Sequence, residues 1–448
     1  MMKHRKILFS LVVLSAQLLD AQSQTDSLMS LHDCMSYALC NSTQMRIEAA
    51  DRNDEQWQRR QAVFATFTPY VEAQAYAYNQ YGRNLDPETN TYNNVKTFYN
   101  GYSISAGITL FDGFKAVNNV RMASTLSKMG LSREQQTRDE ICLAVMEAYF
   151  NVVYYSKLES VLTDEVANAE SALSRTSRQF DLGQKSRADV LQMESELAQR
   201  QYQLISATNH KSDALITLKD VMFYPSASSF DVDTTLAESV MPDVNVADVQ
   251  STAKASLPSA MIAAADYEKA EADLKMARGS YSPKLSLYAG WSTTYYTYPG
   301  MAGYTPVDFR DQFKNNAGEY IQLSLSIPIF DQLQRRSTLH AKKNAVVRSQ
   351  AEYEKTIRNI ENEVLRAAND RDGALAAFFQ ADRLASLQHE AYRLNSRQFA
   401  EGLISAIELQ TASQTYLNAM AERINALLQL KLKDSILRYY NGEHYINQ

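Results

Sequence analysis

Phe180-Asp181-Leu182-Gly183-Gln184-Lys185-Ser186-Arg187-Ala188-Asp189-Val190-Leu191 and Phe399-Ala400-Glu401-Gly402-Leu403-Ile404-Ser405-Ala406-Ile407-Glu408-Leu409 are two versions of one pattern. In each, a phenylalanine stands three places before a glycine and an acid six places after it. A second pair of landmarks, Phe111-Asp112 and Phe330-Asp331, precedes the two glycines at equal separation. Landmarks that recur in the same order and spacing indicate an internal duplication.

Proline marks the layout around these glycines, because inside a helix it costs about 3 kcal/mol. None lies between Pro87 and Pro225 or after Pro328. Within these tracts apolar residues recur by threes and fours. One run goes from Ile141 through Val145, Ala148, Val152, Tyr155 and Leu158 to Leu173, and another from Ile357 through Ile360, Val364 and Ala367 to Phe378, with Arg371 interrupting. So narrow a stripe suits long helices packed as coiled coils. Each glycine splits its tract unequally. At roughly 1.5 Å per residue the helix before it would run about 100 Å and the one after it about 55 Å, and a further helix in each copy would add about 54 Å. Stacked end to end, the two short helices match the long one.

Strands lie between the helices. After Pro69, Val71, Ala73, Ala75 and Ala77 alternate with Glu72, Gln74, Tyr76 and Tyr78, and Ile104, Ala106, Ile108 and Leu110 alternate with Ser103, Ser105, Gly107 and Thr109. In the second copy Leu285, Leu287, Ala289 and Trp291 oppose Ser286, Tyr288, Gly290 and Ser292, and Ile321, Leu323, Leu325, Ile327 and Ile329 oppose Gln322, Ser324 and Ser326. A period of two with small polar residues on one face fits a strand between lipid and a wet lumen, and fits equally a half-exposed sheet on a soluble protein. Each segment is long enough to cross a bilayer at a tilt. Tyrosines, 27 in all, crowd the strand ends and loops, as in an interfacial aromatic belt. The hairpin tips, 82–96 and 299–318, hold glycine and proline and read as flexible loops.

The chain begins with Lys3, His4, Arg5 and Lys6, an apolar run from Ile7 to Leu14, and the small residue Ala21, the order of a secretory signal peptide. No later stretch is apolar enough for a spanning helix, so entry into a membrane would be through strands or a surface helix. Four strands cannot close a barrel in lipid without leaving backbone groups unpaired, which calls for a homo-oligomer.

Composition narrows the function classes. The 448 residues are 45% apolar and 21% charged, as in a folded protein. With Gly 14 and Pro 9, a loop-rich sandwich or a glycine-punctuated nucleotide-binding fold is disfavoured. A net charge of -6 argues against nucleic acid as a partner. Three cysteines cannot make a disulfide framework, and Cys34 and Cys40 would point to different faces of a helix. The six histidines are scattered, and there is no HExxH, GxSxG, P-loop or CxxC, so no enzyme, cofactor or metal site is expected.

The predicted organisation is a signal peptide at 1–21, a first copy at 22–222, an equatorial connector at 223–245, a second copy at 246–440 and a tail at 441–448. The first copy holds helix 31–66, strands 68–80 and 98–111, a long helix 113–180 and helix 187–222. The second holds helix 246–281, strands 283–298 and 319–330, a long helix 331–399 and helix 406–440.

Signal peptide, duplicated helix-strand-strand-helix-helix units and a glycine turn followed by an acid closely resemble the TolC-type outer-membrane efflux proteins, the outer membrane factor family, over essentially the whole mature chain. The resemblance implies a mixed α/β, mostly α membrane protein: a trimer with a 12-stranded outer-membrane β-barrel, four strands per chain, continuous with a long periplasmic α-helical coiled-coil barrel. It implies a passive duct for efflux or type I export, fed by an inner-membrane transporter and docked by a periplasmic adaptor. Gly183 and Gly402 match the family's tip glycines, which need positive φ. Asp189 and Glu408 match acids that in relatives lie at the constricted entrance, and helix N-terminal charges favoured by the macrodipole would look the same. Phe180, Leu182, Ala188, Phe399, Leu403 and Ala406 are the expected adaptor-docking neighbours. Ile404 and Thr411 stand where some relatives have a gate arginine and a second acid. A soluble periplasmic coiled-coil structural or interaction protein would account for the helices but not for four lipid-compatible strands.

Overall fold

Serine 42 and Pro258 decide how the shorter helices run. In the computed structural model, which describes residues 28–85, 90–226, 228, 230–235 and 245–448, the stretch expected as one helix at 31–66 is α1 (Leu31–Asn41) and α2 (Thr43–Phe67). Buried Ser42 separates them: its N–H ends α1 on the Ala38 carbonyl, and its hydroxyl accepts the Gln44 and Met45 N–H groups that open α2. The expected helix at 246–281 is likewise α5 (Val246–Ser256) and α6 (Pro258–Gly279), because Pro258 has no N–H to continue a ladder but fits the first helical position. The remaining elements are β1 (Tyr70–Leu85), β2 (Tyr92–Phe111), α3 (Lys115–Asp181), α4 (Arg187–Met222), β3 (Lys284–Thr297), α7 (Phe309–Asn315), β4 (Gly318–Ser326), α8 (Gln334–Ala400), α9 (Ala406–Tyr440) and a 3-10 turn at Tyr445–Asn447. The signal-peptide segment 1–21 and connector residues 236–244 lie outside the described residues. Among the described residues no helix is long and apolar enough to cross a membrane.

The chain divides into two units. One comprises Ile47–Gln136 and Lys254–Ile360 and contains a four-stranded antiparallel sheet in the order β1-β2-β3-β4. Cross-strand partners share a face, so the register shows what each side carries. Val71, Ala106, Ala289 and Ile321 form one row across all four strands, flanked by Ala73, Ile104 and Trp291 on one side and Ile108, Leu287 and Leu323 on the other. The opposite face carries Tyr70, Gly107, Tyr288 and Gln322 in one row and Glu72, Ser105, Gly290 and Tyr320 in the next. The apolar face is bare: Val71 is 69% exposed, Ile321 83% and Leu323 63%. The outer edges of β1 and β4 have no strand partner in this sheet.

The second hairpin, expected as a flexible loop, contains α7. Strand β3 outruns β4, and α7 covers the surplus edge. Gln312 donates to the Tyr296 carbonyl and accepts the Tyr296 N–H, Asn316 donates to the Thr294 carbonyl, and the Thr293 hydroxyl donates to the Phe313 carbonyl. Phe309 and Phe313 pack against Tyr102, Trp291 and Tyr295, an aromatic cluster at one end of the apolar face.

The other unit comprises residues up to Arg46, Thr137–Ala253 and Glu361 onward. Its core joins α1, α3, α4 and α9 through Cys34, Met35, Val145, Val152, Leu218 and Leu428. Burial pushes the Cys34 and Cys142 thiols up to about 12, whereas Cys40 is exposed, and all three are free. Arg371, which interrupts the α8 stripe, is buried there and lies 3.8 Å from buried Asp434 of α9. Residues 441–448, read as a tail, pack inward: Tyr445 is buried, His444 faces Asp139 at 3.3 Å, and Gln448 donates to the Ser435 carbonyl.

Candidate functional site: the helix-hairpin tips

Two turns with the same hydrogen bonds join α3 to α4 and α8 to α9. In the first, the Gly183 N–H donates to Phe180 O and the Gln184 N–H to Gln179 O, with Gly183 at φ 75. In the second, the Gly402 N–H donates to Phe399 O and the Leu403 N–H to Gln398 O, with Gly402 at φ 76. This pair of bonds satisfies the carbonyls at a helix end and requires a left-handed residue. A Cβ at either glycine would meet nothing within 4 Å, so the backbone angle alone selects glycine here.

Three residues later each new helix opens with a capping box. Ser186 Oγ accepts the Asp189 N–H at 3.2 Å, and Asp189 Oδ2 accepts the Ser186 N–H at 2.9 Å. Ser405 and Glu408 repeat this at 3.2 and 2.8 Å. The N–H and hydroxyl of each serine hold the partner carboxyl below the usual carboxylate range. Asp189 and Glu408 are therefore ionised, helix-opening acids; Asp189 is half-buried and Glu408 exposed. Macrodipole and capping bonds explain their position without reference to a lumen.

The expected docking residues divide by burial. Leu182 and Leu403 are 72% and 68% exposed at the tips, and Ala188 and Phe180 are also at the surface. Phe399 and Ala406 instead lie inside, in a small core with Met193 and Leu409, and the Lys185 ammonium rests over the Phe399 ring at 4.7 Å. The two leucines are accessible from outside, whereas Ala406 is enclosed by its neighbours.

Above the turns a buried polar network ties the two hairpins. Arg200 of α4 is 1% exposed; it donates to Glu196 at 2.8 Å, to Gln203 and Gln414 at 2.8 Å each, and to the Ser413 hydroxyl at 3.0 Å. Ser413 of α9 in turn donates to Glu165 of α3 at 3.3 Å. Burial, with the Glu165 carboxylate beside it, raises the Tyr392 hydroxyl well above its ordinary value. Glu165, Glu196, Arg200, Tyr392 and Ser413 line a cavity of about 300 Å³ together with Arg175 and Arg397. None of the network residues was among the expected site. A signal was present: Glu196 and Arg200 fall on the buried stripe of α4 with Val190, Met193 and Ala207, where charges are retained only if paired.

The model of the outer membrane efflux protein family matches residues 34–222 and 249–442, most of the chain. This chain belongs to that family. It is similar to Outer membrane protein TolC of Escherichia coli, 22% identical over 459 residues that span 96% of this chain and 86% of the relative. It is also similar to the pyoverdine export outer membrane protein OpmQ of Pseudomonas aeruginosa, 24% identical over 328 residues that span 70% of this chain and 64% of the relative. Among solved structures, the outer membrane protein VceC of Vibrio cholerae superposes with a TM-score of 0.76 at 14% identity, covering 93% of this chain and 96% of that one. As a family member this chain is an outer-membrane efflux channel that reaches into the periplasm. The bare apolar sheet face and the long helices have their place in that setting.

Proposed function

We propose that three copies of this chain close a barrel of twelve strands in the outer membrane, the free edge of β4 in one copy pairing with β1 of the next, and that the helices continue it as a periplasmic duct. The observation that carries this reading is a sheet with one bare apolar face and two open edges, a combination that hydrocarbon tolerates only after closure. Leu285 to Tyr295, the apolar reach of β3, is about 34 Å along the strand and about 24 Å deep at a 45° tilt, close to the apolar band of a bacterial barrel. The aromatic cluster around α7 would then sit at one membrane interface. An element order that is the same on both sides of the connector apart from α7, and the recurrence of turn and capping box, support an internal repeat.

In this reading the duct is passive, and an inner-membrane transporter and a periplasmic adaptor complete a tripartite efflux or type I export system. The tips meet the adaptor through exposed Leu182 and Leu403. The Arg200 network holds the two hairpins of each copy together, so widening the entrance requires its separation. Asp189 and Glu408 give the entrance an anionic rim that favours cations over anions. Conductance of the reconstituted protein in planar bilayers tests the duct: discrete channels with cation preference are expected, that preference falls in Glu408→Gln, and an unchanged preference removes the rim from the account. Leu403→Asp should abolish export while channels persist, and surviving export would move the docking surface elsewhere.

A further inference from the structure

Helices α2, α3, α6 and α8 all meet the sheet at one end, since Tyr70 pairs with Gly107, Phe111 with Leu285 and Lys284 with Ser326. Charge is uneven there. The ten residues of each helix nearest the sheet contain, over the four helices, ten bases and two acids, in a chain whose net charge is -6. Three of these windows, 58–67, 115–124 and 334–343, hold no acid at all. In the fourth, Glu271 and Asp273 are already paired, with Lys275 at 3.9 Å and Lys342 at 2.6 Å. The linker acids are also engaged: Asp112 accepts the Ala116 N–H, and Asp331 accepts the Arg335 N–H and pairs with its guanidinium. Arg59, Arg60, Lys115, Arg278, Arg336 and Lys343 are exposed. The other end of the sheet shows no such excess, for segment 299–319 has three acids against two bases.

Between the bare apolar sheet face and these bases lies an apolar collar. Phe67, Phe114, Phe330 and Leu333, at the junctions of strand and helix, are each more than half exposed. Arg60 stands seven residues before Phe67 and Lys343 ten after Leu333, so the bases occupy the first 10 to 15 Å of helix at roughly 1.5 Å per residue. Apolar sheet, aromatic collar and basic band follow one another as hydrocarbon, interface and phosphate do in a leaflet.

We infer that the basic band binds the headgroups of anionic phospholipid in the periplasmic leaflet, selecting phosphatidylglycerol over zwitterionic phosphatidylcholine. Arginine and lysine stems lie along the collar while their charged ends reach phosphate. Bases further along the helices act across the roughly 8 Å over which physiological salt leaves surface charges unscreened. A soluble acidic partner would leave the collar in water, whereas a leaflet covers collar and band together. The inference needs the helix end of the sheet at the periplasmic side of the outer membrane and is independent of how many copies close the barrel.

The test reconstitutes the full-length protein in phosphatidylcholine bilayers with traces of spin-labelled phosphatidylglycerol or phosphatidylcholine. Electron spin resonance reads the fraction of each label held at the protein. Phosphatidylglycerol should associate about two- to fivefold more strongly, and the preference should fade in about 0.5 M salt. Combining Arg59→Gln, Arg60→Gln, Arg336→Gln and Lys343→Gln should remove most of it, while Arg310→Gln with Lys314→Gln, at the other end of the sheet, should leave it unchanged. Equal association of the two lipids, or an equal loss in both variants, overturns the band. If the fourfold variant does not fold, the salt series on the unaltered protein decides: a preference that survives high salt overturns the band. Conducting channels without lipid preference remove the band and leave the duct; preference without channels supports the band and removes the duct. A protein that does not enter the bilayer overturns both.

Discussion

The two helix-hairpin tips have the same backbone and different faces. Gly183 and Gly402 turn at φ 75 and 76, and Ser186–Asp189 and Ser405–Glu408 cap the next helix with the same bonds. Yet Phe180 is 39% exposed and Phe399 5%, and the exposed Arg187 of the first tip has buried Ala406 as its counterpart in the second. Arg200, the centre of the polar network, corresponds to buried Ala419. The two tips share the residues that set the chain's path. Residues that set its surroundings differ, because each tip packs against the other and not against a copy of itself.

Removing Arg200 should break this comparison most severely. Arg200→Ala leaves Glu196 buried without its cation and Ser413 without the donor that ties α4 to α9, and the tip helices should lose about 3 to 5 kcal/mol of local stability by hydrogen exchange. Arg187→Ala, at an exposed site, should stay within about 0.5 kcal/mol. Phe399→Ala should cost about 3 kcal/mol or more in the same measurement, and Phe180→Ala less than about 1 kcal/mol. The backbone elements should instead respond alike. Gly183→Ala and Gly402→Ala should each cost about 1 to 2 kcal/mol, because both force a Cβ into the left-handed region where nothing else crowds it. A large difference between the two would show that the turns are not equivalent.

The smallest effect is that of pH. Both capping carboxyls are held below their ordinary values, so their contribution is complete above an unfolded-state pKa of about 4. It is lost as pH falls through the lower folded value. Hydrogen exchange at the starts of α4 and α9 should therefore accelerate below about pH 4, and in Ser186→Ala that pH dependence should shrink at α4 only.

Periodicity made the main elements legible. The alternation of Ile321, Leu323 and Leu325 with Gln322 and Ser324 placed the apolar face where the register puts it, and the runs from Ile141 and Ile357 marked α3 and α8. What escaped was set by single residues or by remote partners. Pro258 starts a new helix inside an apolar period that continues through it, and Ser42 breaks its helix through local hydroxyl bonds that any serine offers. Helix α7 exists because Gln312 and Asn316 serve an edge that β4 leaves open, a need that appears only once strand lengths are known. Arg200 finds Ser413 and Gln414 on another hairpin, beyond any local pattern. Ala406 is expected as a docking neighbour from the family resemblance alone; its burial follows from Met193 and Leu409, which no local pattern brings beside it.

The closure of the sheet by neighbouring copies is tested most directly by native mass spectrometry of the detergent-extracted, full-length protein. A mass of three chains, with the sheet intact, is expected. A single chain that keeps its four strands in detergent, or one that stays in solution without it, would contradict shared closure.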